Sequence, residues 1–588
     1  MLFDFDKKKH FDYIVVGAGT AGGVIAKKLT DDLRTSVLTL EAGTNMVDEL
    51  SDPSRTGSGL LSTDNRHSFN IFTRQEPNIG RQLRLSGGRA IGGSSEHNAM
   101  YAVRCSADLF DQWAKLVGSQ WSYKNLLPLF KKNETYTGNS QSPETRGKKG
   151  PIFIRQQNIP DGGIIETLAK ASAEVLDVPL VEDYNTGIRD CAYRKGQFMH
   201  KEVGGQFVRS STATGYLNEN VVTQGDEFQP DEVGIGGRKL FILAKTTVNK
   251  ILFKKKDGVQ TAVGVEYVKD GVTQRSFARK GVIVSAGNFS SVILQRSGIG
   301  RTSDLQRAGL STLVESPNVG HNFQSHYFVA MGIEVETTRL TDVIDAEPDQ
   351  PFLSGVFKAD DNKGGRRLQL FTSPQPNFIP NPIVHSNNWG FNRKNSTNIM
   401  SIAIGDLNPQ SRGTILAAHS DPEAYPSVSF NPLTNPDDLN FVIDQYIETY
   451  NIIKRARKLD PKGIYKVVFP SEDVFNIPDE EKKRNQLAHY ARASYTNFAH
   501  FSGQCQMGKT IQEGVVDGYL NVFGTRNLKV ADLSISPIIP DGNTSIPAQV
   551  IGLKAVQFLQ EQRQEYVFDD QELNWINFMM NFRNIFKD

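Results

Sequence analysis

Cysteine is scarce: Cys105, Cys191 and Cys505 are the only three in 588 residues. Far apart and odd in number, they argue against a disulfide framework and for a reducing compartment, so a cytoplasmic location is expected. An excess of one charge is also missing. Lys and Arg total 66 against 65 Asp and Glu, a formal net charge of +1, which excludes nucleic acid as a partner because that class carries a marked basic excess. No apolar run approaches the ~18 residues of a spanning helix. Behind the N-terminal lysines stands only Phe11 to Val16, interrupted by Asp12, so neither a signal peptide nor a membrane span is expected. Metal-ligand spacing is absent as well: with no His-x-x-x-His pair, Cys-x-x-Cys or carboxylate cluster, no catalytic metal is expected. Repeats and low-complexity tracts are lacking too. What is left is an ordinary globular composition, 38% hydrophobic and 22% charged, long enough for several domain-sized units.

The informative residues begin at Tyr13-Ile14-Val15-Val16, a run rich in β-branched side chains. Gly17-Ala18-Gly19-Thr20-Ala21-Gly22 follows directly and opens an apolar-patterned stretch from Gly23 to Leu29, which predicts strand, tight turn and helix. A second strand, Ser36 to Leu40, ends in Glu41-Ala42-Gly43. The unit matches the dinucleotide fingerprint, in which one glycine permits the turn, one admits a pyrophosphate close to the backbone and one lets the helix pack on the strand. The phosphates then meet unpaired N–H groups at the helix start. Glu41 is placed to accept hydrogen bonds from the adenosine ribose, and its charge would repel a 2′-phosphate. NAD and FAD present the same ADP moiety to such a turn, so these residues leave the choice open.

Ser86-Gly87-Gly88-Arg89-Ala90-Ile91-Gly92-Gly93-Ser94-Ser95-Glu96-His97-Asn98 is too rich in glycine for a strand or helix interior, and is expected to be a loop whose backbone closely approaches something. Here the chain resembles the glucose-methanol-choline (GMC) oxidoreductase family. Gly88, Arg89, Ile91, Gly92, Gly93, Ser94, Ser95 and Asn98 fit its first signature. The stretch from Ala286 to Ser297-Gly298-Ile299-Gly300 fits its second, with Asn288 where a smaller residue is usual. Trp113, Trp121-Ser122-Tyr123, Val319 to His326, His500 to Gly508, Leu528 to Asp532 and Gly542-Asn543-Thr544 extend the likeness over nearly the whole chain.

That resemblance implies FAD. It also implies an α/β fold: a Rossmann-like FAD-binding domain, and a discontinuous α+β substrate-binding domain built on an antiparallel sheet. The motifs and the Pro/Asn-rich turns between them assign 10–155, 205–326 and 496–570 to the first, and 156–204 and 327–495 to the second. The cofactor residues implied are Gly17, Gly19, Thr20, Ala21, Gly22, Glu41, Ala42, Gly43, Arg89, Gly92, Gly93, Ser94, Ser95, His97, Asn98, Ala99, Val248, Ala286, Asp532, Thr544 and Pro547.

Oxidising an alcohol requires removal of its hydroxyl proton and departure of a hydride to the flavin, and a neutral imidazole suits the first task. His500 occupies the family's general-base position. Asn543 occupies the second active-site position, where its amide can donate to the developing alkoxide. In some members a histidine after the small-residue run is linked to the flavin 8α carbon; His97 stands there, with Glu96 beside it to orient the ring. Cys505 matches a family cysteine without a catalytic role and reads as packing.

The substrate is expected to be a small-molecule alcohol. Members acting on choline carry a tyrosine just before the catalytic histidine, and Ala499 in that place weakens choline. Phe498, Trp389 and Phe391 remain as aromatic candidates, while the small Ala499 leaves room for an aromatic primary alcohol or a sugar. Dioxygen, a quinone and a redox protein all stand as electron acceptors. The alternatives are an FAD-containing lyase, a light-driven decarboxylase, and the catalytic subunit of a membrane-linked dehydrogenase.

Overall fold

A computed structural model describes residues 10–47, 66–226, 228–336, 352–361, 365–374 and 398–561. Trp389 and Phe391 lie outside them, as do positions 562–570 of the expected FAD-binding domain. The apolar run at the start forms the strand His10–Val16, whose last four residues are all buried. It sits inside a nine-stranded sheet, pairing in parallel with Val37–Leu40 on one side and Val272–Val284 on the other. Strands covered on both faces read as continuous apolar runs, which is why Tyr13 to Val16 does not alternate. Leu240–Leu243 extends the parallel part, the long antiparallel ribbon Thr246–Lys256, Val259–Lys269 and Val272–Val284 adds the other side, and the short strands Glu232–Val233, Thr525–Arg526 and Leu528–Val530 complete it. The helix Gly22–Leu29 follows the glycine turn, and Ser545–Glu561 packs against it.

A second sheet of eight strands runs in the order Ile464–Phe469, Gln324–Val335, Ile399–Asp406, Arg366–Ser373, Gly355–Asp360, Cys191–Tyr193, Leu180–Val181, with Thr496–Ser502 also on Gln324–Val335. Every pairing except the last short one is antiparallel. The helices Gly163–Leu176, Pro436–Leu459 and Glu480–Ser494 pack on it. Two apolar clusters form: one around Ile14, Val15 and Leu38 also takes in one face of the second sheet through Phe328, Ala330, Phe371 and Ala403, and the other, around Val329, Ile404 and Tyr446, lies on that sheet's opposite face.

Two of the boundaries drawn from sequence cut through this architecture. The 326/327 boundary falls inside the strand Gln324–Val335, and Thr496–Ser502 hydrogen-bonds to that same strand. The expected loop from Ser86 to Asn98 needs correction. Ser86 to Gly88 end the strand Arg84–Gly88, paired with Ser68–Phe72, and Gly93–Glu96 forms a turn of 3-10 helix. Glycine here marks close backbone approach rather than loop: a Cβ on Gly87 would lie 2.9 Å from the Asn288 amide, and one on Gly88 2.3 Å from the Gly93 carbonyl carbon.

Candidate active site

The glycines of the first turn are required by space. Gly17 has φ +97° and a Cβ there would stand 2.5 Å from the Ser285 carbonyl oxygen; a Cβ on Gly22 would stand 2.0 Å from that of Gly17. The two glycine clusters meet, for a Cβ on Gly93, at φ +58°, would come within 2.7 Å of the Gly19 Cα. Gly92 donates its N–H to Ala18 (2.8 Å), locking the second cluster on the first. Behind them, the Ser95 hydroxyl donates to Gly92 (2.7 Å) and accepts from the Thr212 N–H (3.0 Å). The buried Arg209 guanidinium donates to the carbonyls of Ser95 and Asn98 and to the Asn98 side chain. Nothing in the sequence singles out Arg209 or Thr212, since their partners lie more than a hundred residues away.

Glu41 ends the second strand as expected and lines the cavity. Its carboxylate accepts the Ala18 and Gly43 N–H groups, both at 2.9 Å, yet burial pushes its pKa up to about 7. Asp532 is likewise pushed up by burial, and accepts from the Gly287 N–H (2.8 Å) and the Ser290 hydroxyl (2.6 Å). Arg89 donates to the Ala42 carbonyl (3.2 Å). Glu96, expected to orient His97, turns away instead. A fully buried carboxylate needs donors, and it finds Ser211, Ser95 and the backbone of Ala213 beside the Arg209 charge. His97 faces the cavity with its Nε2 unpartnered, and burial depresses its pKa to about 4.

At the other end of the cavity the strand Thr496–Ser502 carries a wide bulge. Ser325 pairs with Phe501 and Tyr327 with Asn497, so Phe498, Ala499 and His500 stand opposite the single residue His326. Ala499 takes φ +56°, unusual for a residue with a Cβ, and bulges recur beside active sites because they re-aim a side chain. The chain is thereby turned so that His500 faces the cavity.

His500 Nδ1 lies 3.0 Å from Nδ1 of the fully buried His326, and its Nε2 lies 3.4 Å from the Asn543 amide nitrogen, 43 residues on. Gln369 donates to the Asn543 oxygen (3.4 Å), which sets the amide's direction. With Asn543 donating, His500 Nε2 presents a lone pair and its proton sits on Nδ1, given to His326. Burial and the neighbouring His326 hold the His500 pKa well below the usual imidazole range, and burial takes His326 down to about 3. Neither His326 nor Gln369 was singled out from sequence; His326 stood there only as part of a family stretch.

One cavity of about 690 Å³ joins the two ends. Of the residues expected at the cofactor, Gly17, Gly19, Thr20, Ala21, Glu41, Ala42, Arg89, Gly93, Ser94, His97, Asn98, Ala99, Val248, Ala286, Asp532 and Thr544 line it, together with His500 and Asn543. Gly22, Gly43, Gly92 and Ser95 shape the wall from behind, and Pro547 is buried in the first turn of its helix, off the wall. A glycine cradle leading through a continuous cavity to an imidazole and a side-chain amide fits FAD. Cys505 is fully buried, off the cavity wall, with its thiol pKa pushed well up by burial. Among the described residues no group of three or more His, Cys, Asp or Glu could hold a metal ion, and no helix is long and apolar enough to cross a membrane.

The chain matches the family model described as GMC oxidoreductase in two parts, an N-terminal one over residues 11–328 and a C-terminal one over 409–552. It is 30% identical over 576 residues to an oxygen-dependent choline dehydrogenase of Yersinia pseudotuberculosis serotype IB (strain PB1/+), covering 92% of each chain. Among solved structures it resembles pyridoxine 4-oxidase from Mesorbium loti (21% identity, TM-score 0.75, 94% of this chain and 100% of that one). A fungal aryl-alcohol oxidase is similar at 20% identity, with TM-score 0.72 over 94% and 99% of the two chains.

Proposed function

Since the chain belongs to the GMC oxidoreductases, FAD-dependent enzymes acting on CH–OH donors, we propose that it oxidises an alcohol to the aldehyde or ketone with His500 as general base and Asn543 as hydrogen-bond donor to the alkoxide. The observation that carries this reading is the placement of His500 and Asn543 on the wall of the cavity that begins at the dinucleotide cradle. Gly17, Gly19 and Glu41 would hold the adenosine half, and Arg89, Gly93, Ser94 and Asn98 the remainder. When bound, FAD supplies the two-electron acceptor for the hydride that leaves the carbinol carbon.

The chain's own groups do the rest. His500 Nε2 takes the hydroxyl proton, and burial keeps that nitrogen uncharged and ready to accept it. The 3.4 Å gap between His500 and Asn543 is long for a hydrogen bond, so the Nε2 lone pair and the amide N–H can both be given to one oxygen of the substrate. His326 fixes the His500 tautomer by accepting at Nδ1. The neutral, unpartnered Nε2 of His97 on the wall is the state in which a ring nitrogen attaches to the flavin 8α carbon; flavin released from the wild-type protein by acid would remove this part of the reading.

The names of the relatives put choline, pyridoxine and aryl alcohols among the candidate substrates. Anaerobic mixing with a panel of alcohols tests the reading. At least one should bleach the flavin, and His500→Ala should slow that bleaching by about 10² or more while leaving FAD bound. An unchanged rate in the variant would sink the assignment of the base. The speed of recovery on admitting air then separates dioxygen from a quinone or a redox protein as acceptor.

A further inference from the structure

Arg84 is a cation without a counter-charge on the wall of the cavity. It opens the strand Arg84–Gly88, whose two-residue period turns Arg84, Ser86 and Gly88 to one face, and all three border the cavity. Its Nε and Nη2 are buried with no acceptor among the described residues. Burial lowers its pKa, and no carboxylate among them lies near enough to raise it again. The other arginines of the wall differ. Arg81 donates to the carbonyls of Arg492 (3.0 Å) and Tyr495 (2.5 Å), Arg89 to that of Ala42, and Arg296 to those of Pro422 and Ala424, beside the charges of Asp421 and Glu423. A charged side chain is almost never enclosed unless paired, so the partner of Arg84 has to enter through the cavity.

The position of Arg84 says which kind of partner. Gly88, next to the phosphate cradle, lies four residues along the strand, about 13 Å away. The charge of Arg84 is felt instead at His97, which burial first, and then Arg209 and Arg84, keep unprotonated. His97 stands where the family resemblance puts the flavin 8α carbon, and that edge of the ring system is hydrocarbon with no acceptor to offer. Across the hairpin Arg84 pairs with Phe72, which borders the cavity and is 58% exposed, so this stretch of wall is close to the mouth. Towards the base, the Arg84 carbonyl accepts from the Asn497 amide (3.0 Å), and the Asn497 oxygen accepts from the N–H of Ala499 (3.1 Å), the residue before His500. One side chain thus fixes the spacing between the strand of Arg84 and the bulge that aims His500.

We propose that the alcohol oxidised here is a hydroxy acid, whose carboxylate binds Arg84 near the mouth while its hydroxyl meets His500 and Asn543. This rests on the alcohol-oxidation reading. A guanidinium receives a carboxylate through two parallel N–H bonds, and a single one balances one negative charge, whereas a phosphate monoester brings about 1.5 to 2. The O–H proton goes to His500 Nε2, the carbinol hydrogen leaves with its electron pair to the flavin, and the product is the oxo acid with its carboxylate unchanged.

The test uses the purified flavoprotein. The hydroxy acids γ-hydroxybutanoate, ε-hydroxyhexanoate and ω-hydroxyoctanoate, each against its methyl ester, and choline are compared as anaerobic reductants of the flavin. Hexanoate and hexanamide, which carry no hydroxyl, are compared as ligands by calorimetry. At least one acid should reduce the flavin about tenfold or more efficiently than its ester, the size of a hydrogen bond to a charged group, and hexanoate should bind more tightly than hexanamide. Arg84→Gln should abolish both preferences and keep its flavin, and Arg84→Lys should restore part of each. If Arg84→Gln does not fold, the wild-type comparisons still decide. Esters or choline preferred over every acid, or hexanamide bound as tightly as hexanoate, would overturn the substrate class and leave alcohol oxidation standing. So would loss of flavin from folded Arg84→Gln, which would assign the guanidinium to the cofactor. Bleaching by no alcohol of a wider panel overturns both readings.

Discussion

The base role proposed for His500 depends on the fold keeping the imidazole uncharged. Its pKa and those of His326, about 3, and His97, about 4, are all depressed by burial. The neutral forms therefore persist below the ordinary imidazole value near ~6.5. The rate of flavin reduction by an alcohol is expected to stay level from neutral pH down through that value, and to fall only well below it. A titration midpoint at the ordinary imidazole value would contradict the burial of His500. The rings' contribution to stability follows the same sign: below ~6.5 the unfolded chain takes up protons on them while the folded one does not, so that contribution declines as pH drops towards about 3. Glu41, whose pKa burial raises to about 7, contributes in the opposite direction. The urea midpoint of a His326→Asn variant should therefore lose less than the wild type's over this range. Of this arrangement, His500 and Asn543 were legible in the sequence because both stand inside dense motifs. His326 as a partner was not: it comes from another strand, and its contact depends on a register shift that leaves no local pattern.

Elements built from glycine were legible in kind and misread in detail. The strand, turn and helix from His10 to Leu29 appeared where the apolar run and the spacing put them. The second cluster was read as loop because glycine weakens strands, yet Arg84–Gly88 pairs fully with Ser68–Phe72. Tertiary contact overrides propensity there, since side chains on Gly87 and Gly88 would collide with Asn288 and Gly93. Gly93, where the two clusters meet, is closed to a Cβ both by φ +58° and by the Gly19 Cα 2.7 Å away. Gly93→Ala should force the two clusters apart and leave a protein that has lost most of its flavin, measured as the ratio of flavin to protein absorbance. Gly163→Ala serves as a control: it too has positive φ, +75°, but nothing stands within 4 Å of its Cβ, so flavin content should be retained.

At the scale of the whole molecule, the two sheets share an apolar cluster through Phe328, Phe371 and Ala403, and a polar joint fastens them as well. Arg367, on the strand Arg366–Ser373, reaches out of the antiparallel sheet to Asp541, with Nη1 2.7 Å from the carboxylate and 2.8 Å from the carbonyl of the same residue. Asp541 in turn accepts from Ser106 through its N–H (2.9 Å) and hydroxyl (2.5 Å). Two residues later comes Asn543, itself held by Gln369 from the same strand as Arg367. Sequence patterning could assign segments to each sheet but could not show this joint, because nothing local marks an arginine whose partner is 174 residues away. Removing one member of a buried ion pair strands the other, a loss of about 3–5 kcal/mol. Arg367→Met should therefore lower the urea midpoint of unfolding by an amount of that size. If Asn543 is the alkoxide donor proposed above, the variant should also slow flavin reduction in the fraction that remains folded, because a loosened amide would not meet the oxygen in a fixed position. If stability fell while the reduction rate per bound flavin stayed at the wild-type value, Arg367 would be a fastener only, and the placement of Asn543 would depend on Gln369 and its own backbone.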